Sequence, residues 1–206
     1  ASTADARTQD THEAPSTLLR LTVEDAVAQR RLSAAIDALF DGEATRAGRL
    51  LHTLKETYPD EAIVRMLLSL TYYLQGRVAL SMTESSRGAS LARDGPGDLR
   101  VLLELTNRSW REPTRKDDLL RRWGELLERH DTPAIQVLYL AAARHLLSYP
   151  TFKAALHDRM KDHPDWVILW MLELRMLEEL NDLDGLLEAA TAATAAHPAS
   201  PALKVK

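Results

Sequence analysis

The chain has 206 residues, 26 of them Lys or Arg and 30 Asp or Glu for a formal charge of −4, and it contains no cysteine. That length supports one large domain or a short repeat array with a sizeable core. The absence of cysteine excludes disulfides, thiolate metal sites and thiol catalysis, and the acidic balance disfavours duplex nucleic acid, whose phosphates call for a basic surplus. No apolar run approaches the ~20 residues that cross a bilayer; Trp166 to Leu172, as long as any, stops at Glu173, so no membrane span is expected. This composition suits a cytoplasmic protein, or a periplasmic one if Ala1 follows a removed signal peptide.

Residues 1–15 carry no large apolar side chain, and such a segment buries too little surface to offset its ordering entropy, which predicts a flexible N-terminal tail. Thr22 with Asp25 matches a capping box at a helix start. From there apolar residues recur at helical spacing, as in Leu32, Ala35, Ile36, Leu39 and Phe40, and no segment alternates as a strand does. Breaks follow at Asp41-Gly42, Pro59-Asp60, Gln75-Gly76, Gly95-Pro96-Gly97-Asp98, Trp110 to Thr114, Thr132-Pro133, Tyr149-Pro150, Pro164-Asp165, Asn181-Asp182 and Pro198 to Pro201. Pro59-Asp60 reads as the end of one helix and the cap of the next, and Thr132-Pro133 as an N-cap followed by proline at the first helical position. The pattern predicts about ten helices of roughly 11–18 residues whose short connections make neighbours antiparallel.

Three helix ends look alike: Tyr58-Pro59-Asp60, His163-Pro164-Asp165 and His197-Pro198-Ala199. Pro164 and Pro198 stand 34 residues apart, and stepping by the same interval reaches Arg93 beside one break and His130 beside another. Leu68, Ser69, Tyr72 and Gly76, then Ala35, Gly42, Ala47, Leu51 and Pro59, then Trp170, Leu177, Ala193 and Pro198 fall where the tetratricopeptide repeat (TPR) places its large, small and terminal residues. Phe152, Leu156 and Pro164 are most of what survives in the intervening units. The chain therefore resembles the TPR superfamily over about residues 28–199, as five degenerate units. The resemblance implies an all-α, right-handed superhelical stack of antiparallel helix hairpins, a TPR-like α-solenoid. It sets a helical repeat domain at 16–199, with 200–206 as the start of a capping helix or a truncated end.

No pattern of catalytic, cofactor or metal residues emerges. The seven histidines include no i, i+4 pair and no HExxH, and Glu178, Glu179, Asp182 and Asp184 gather at one helix end, where Asp182 reads as an N-cap. The resemblance implies a non-catalytic interaction scaffold or adaptor whose concave groove is lined by the first helix of each unit. On that register the groove offers Leu32, Ile36, Met66, Leu70 and Tyr73 at one end and Arg100, Asn107, Arg108, Arg144, His145 and Arg175 at the other. An apolar stretch followed by a cationic one suits a partner protein or peptide with an acidic part. Homo-oligomerisation stays open. Leu32 and Ile36 occupy first-unit positions where family members that clamp acidic chaperone tails carry polar or basic residues, which argues against that ligand. The alternative is a structural or regulatory subunit docked by its ends or convex face, leaving the groove empty; a separate reading has the apolar half of the groove filled by the protein's own N-terminal segment or a second copy.

Overall fold

A computed structural model describes residues 18–94 and 97–203; the expected tail, residues 1–15, and positions 204–206 lie outside them. Ten α-helices run through the described residues, with no strand among them: α1 (Ala26–Phe40), α2 (Ala44–Thr57), α3 (Ala62–Leu74), α4 (Val78–Leu91), α5 (Gly97–Arg111), α6 (Lys116–Arg129), α7 (Pro133–Ala143), α8 (Tyr149–Asp162), α9 (Val167–Glu179) and α10 (Leu183–Ala196).

Local chemistry repeats along the chain. α1, α3 and α9 each end in a residue of positive φ: Gly42 at 77°, Gly76 at 76° and Asn181 at 55°. At each of the three ends the following amide, on Glu43, Arg77 or Asp182, donates back to Ala38, Tyr72 or Leu177. This is the closure that lets a helix stop within one turn, and it favours Gly or Asn because a β-carbon crowds that backbone. α2, α6, α8 and α10 end instead on a ring-bearing residue in one shared backbone geometry, at Tyr58, His130, His163 and His197.

Each helix packs on the next, and each odd helix also meets the next odd one: α1 with α3, α3 with α5, α5 with α7 and α7 with α9. α9 returns to touch α1 and α3 as well. The odd helices thus surround a shared interior and the even helices lie outside them. Twelve of the thirteen residues of α3 are buried, as are eight of the eleven of α7.

Three boundaries differ from the sequence-based expectation. Asp25, not Thr22, caps α1, accepting from the amides of Val27 and Ala28. α3 has Glu61 rather than Asp60 at its cap position, and that side chain makes no cap bond. The buried Glu61 carboxylate instead accepts from the amides of Thr22 and Val23 and from the Thr22 hydroxyl, at 2.5–3.1 Å. This pins the segment before α1 and seats Leu19 and Leu21 in the core. α7 stops at Ala143, short of Pro150, and the chain passes through a tight turn at 144–147.

Leu68 is fully buried on α3, so Leu68→Asp places an unpaired charge in the interior. It should cost at least ~4 kcal/mol, which lowers the melting temperature by on the order of 10 °C; an unchanged midpoint would contradict the packing. Glu61→Ala should speed exchange of the Thr22 and Val23 amides by about tenfold, since bonds to a charged acceptor are worth roughly 1.5–3 kcal/mol. Exchange by mass spectrometry or NMR reads this directly.

Candidate interaction site

The interior face was the expected groove, and the structure fills it. Leu32 and Ile36 on α1 and Met66, Leu70 and Tyr73 on α3 are 0–9% exposed. The closing contact runs between the two ends of the stack: the rings of Phe40, at the end of α1, and Trp166, just before α9, meet edge to face with centroids 5.0 Å apart. Inside, a void of about 10 Å³ lies among Met66, Ser69, Leu70, Thr106, Trp110 and Leu138, room for a single water at most. These side chains form the core of a closed ring, not the wall of an open channel.

Four of the expected site residues come together where the odd helices end. Tyr73 packs edge to face on Trp110 at 4.9 Å, and the His145 ring lies 4.1 Å from the Trp110 ring. The Arg175 guanidinium sits 5.9 Å from the Tyr73 ring centre and against Gly76, where a β-carbon would stand 3.1 Å from Arg175 Nη1. Arg144 pairs with Glu179 at 3.1 Å, and Arg175 pairs with Glu178 and Glu179. Burial, reinforced by the Glu179 charge, raises the Tyr73 phenol above its ordinary range, and burial beside Arg144 lowers His145 to about 4. The Nε atoms of Arg144 and Arg175 and Nε2 of His145 have no hydrogen-bond partner among the described residues. His145 is thus a neutral ring in an apolar seat, and both arginines spend their charge on glutamates of α9.

The remaining cationic candidates stand apart. Arg108 is held between Glu104 of its own helix at 2.9 Å and Glu112, just past the end of α5, at 2.8 Å, and Arg122 of α6 joins Glu104 at 3.1 Å. Hydrogen bonds from Arg122 and then Arg108 hold the Glu104 carboxyl below its usual range. Asn107 faces α4, accepting from Ser86 at 3.1 Å. Arg100 is exposed on α5. The structure therefore brings Tyr73, Arg144, His145 and Arg175 into one cluster and leaves Arg100, Asn107 and Arg108 on another part of the surface.

Sequence reasoning missed Trp110, Trp166 and Glu179 as partners of that cluster and of the closure. It also passed over the outer face of the last hairpin. There Leu183 is 69% exposed, Leu187 68% and Leu180 45%, three of the five large hydrophobic side chains exposed among the described residues. Asp182 caps α10, accepting from the Gly185 amide at 3.0 Å, and Gly185 leaves the space that bond needs, since a β-carbon there would stand 2.5 Å from Asp182 Oδ2.

Among the described residues no helix is long and apolar enough to cross a membrane. No family model, curated protein or solved structure matches the chain.

A histidine in the unfolded chain titrates near 6.5, and His145 in the fold titrates at about 4. Between those values the unfolded chain binds the extra proton. Stability from this group is therefore full above pH 6.5 and declines as pH falls toward 4, by up to roughly 3 kcal/mol. His145→Phe keeps an aromatic ring against Trp110 and removes the titration. Urea unfolding of the variant should show a shallower loss of stability between pH 6.5 and 4; equal slopes would contradict a buried neutral His145.

Proposed function

We propose that this chain is a non-catalytic protein-interaction scaffold, a TPR-like stack of five helix hairpins that holds its partner at the open end of the stack. One observation carries the reading. The interior face is occupied by the chain's own α9, while the outer face of the last hairpin keeps Leu180, Leu183 and Leu187 in water. Binding in the concave groove would require α9 to leave α1 and α3 and Trp166 to leave Phe40. That exposes apolar surface at roughly 25 cal/mol per Å² before any ligand arrives. End docking needs no such opening, and an exposed apolar patch on a folded surface marks an interaction site.

The same comparison favours the fixed-neighbour alternative, a subunit docked by its end, over a peptide adaptor with an open channel. It also weighs against an acidic peptide running from apolar to cationic groove residues. Met66 is 1% exposed, and Arg144 and Arg175 already hold Glu178 and Glu179. The recurring helix ends, the odd-to-odd packing and the 34-residue spacing of Pro164 and Pro198 support the TPR-like reading.

Affinity capture compares the wild type with two folded variants. Leu183→Asp with Leu187→Asp should abolish partner retention while leaving the helical circular dichroism unchanged, because both side chains are already in solvent. Arg100→Glu should leave it intact. Retention by the leucine variant and loss in Arg100→Glu would move the site to the α5 face.

A further inference from the structure

Among the described residues α10 lacks a covering that every earlier even helix has. α3 lies on the hairpin of α1 and α2, α5 on that of α3 and α4, α7 on that of α5 and α6, and α9 on that of α7 and α8. On the last hairpin this place is taken by one 3₁₀ turn, Pro201–Leu203, which touches both α9 and α10. Its register matches the earlier units. Leu203 follows Pro198 by five positions, as Val64 follows Pro59 and Leu169 follows Pro164, and all three side chains are at most 1% exposed. Leu203 rests on Val167 and Ala193, and its carbonyl accepts from the Thr194 hydroxyl at 3.2 Å. The place is thus begun in register, over the C-terminal part of α10 alone.

A recurring side-chain bond shows what is missing. His52 on α2 bonds Tyr72 on α3 at 2.8 Å, Ser86 on α4 bonds Asn107 on α5 at 3.1 Å, and His157 on α8 bonds Glu173 on α9 at 2.7 Å. Each stands nine positions past its helix's N-cap residue: 43 to 52, 77 to 86 and 148 to 157. On α6 that position is Gly124, which has no side chain to offer. On α10, capped at 182, it is Thr191, which is exposed and turns its hydroxyl back to the Leu187 carbonyl at 2.8 Å. The exposed face of α10 is therefore a stacking surface with its connector unused.

We propose that a partner protein supplies the absent element, a basic amphipathic helix that lies on α10 beyond Leu203; this rests on the end-docking reading and names its occupant. Leu183 and Leu187 offer the apolar stripe such a helix buries. Asp184 and Glu188 stand exposed beside them, and α10 carries no Lys, Arg or His, so the complementary flank is cationic. The same charges argue against a second copy, because a two-fold contact through this face sets Asp184 and Glu188 against their own images.

The test titrates the full 206-residue chain with a fluorescein-labelled designed helix of about 18 residues, long enough to hold helical structure. It carries Leu at i, i+3, i+4 and i+7 with Lys flanks; a twin has Glu for every Lys. The Lys peptide should bind at least ~10-fold more tightly than the twin, with the gap closing as salt rises. Leu183→Ser with Leu187→Ser should weaken it at least ~10-fold at unchanged melting temperature, and Asp184→Lys with Glu188→Lys should reverse the preference. Equal binding of both peptides, lost in the leucine variant, overturns the basic occupant and leaves end docking standing. Binding indifferent to the leucines, or absent, overturns the proposal, with end docking then judged by the capture comparison. A concentration-dependent dimer in sedimentation, abolished by the leucine pair, assigns the face to a second copy and overturns it too.

Discussion

The apolar surface of the odd helices has to be covered on every side, and α9 provides the final cover by returning to α1 and α3. α3 shows why nothing less suffices. Of its thirteen residues only Arg65 is not buried, and a helix apolar around its whole circumference belongs in a core rather than on the wall of a water-filled groove. α7 has the same character. Phe40 and Trp166 join the first hairpin to the last, and with that contact made Leu32, Ile36, Met66 and Leu70 become shared core.

Closure also determines what the charges do. Arg144 and Arg175 stand at the seam among α3, α7 and α9, where Glu178 and Glu179 neutralise them. Tyr73, Trp110 and His145 fill the space beside them. A pair held in one geometry at a partly buried seam contributes more to specifying that seam than to attracting a ligand. Arg144 and Arg175, two of the cations expected in the groove, are in this way an internal fastening. The apolar side chains that stay exposed include Leu183 and Leu187, where stacking stops, on α10.

Much of this was legible in local sequence. Asp41-Gly42, Gln75-Gly76 and Asn181-Asp182 mark helix ends because the left-handed residue they require is chemically distinctive, and Asp182 caps α10 as its position suggests. Thr22 misled because its hydroxyl has two acceptable uses, a cap three residues on or a remote carboxylate, and Glu61 wins with three donors converging on it. The end of α7 was misplaced because Pro150 is a louder signal than the packing of His145 on Trp110, which draws the chain into a turn earlier. Ring closure leaves no periodic trace, since Phe40 and Trp166 lie far apart in sequence. Its one local signal is the all-round apolarity of α3 and α7, which contradicts an open groove and was outweighed by the repeat register. The leucines of α10 were hard to find for the opposite reason: helical spacing alone cannot say which face lacks a neighbour.

The most direct test of the closed interior is a distance between its two ends. The chain has no cysteine, so Asp37→Cys on α1 and Asp165→Cys before α9 place spin labels at two exposed sites without background. Helices packed side by side lie 8–10 Å apart, so closure predicts a single label distance of about 20 Å or less, and an open stack of four odd-to-odd steps predicts about 35–40 Å. A dominant short distance, lengthened by Trp166→Ala, is the result expected. A dominant long distance in the otherwise unaltered protein would contradict the closed ring, and with it the assignment of the partner surface to α10.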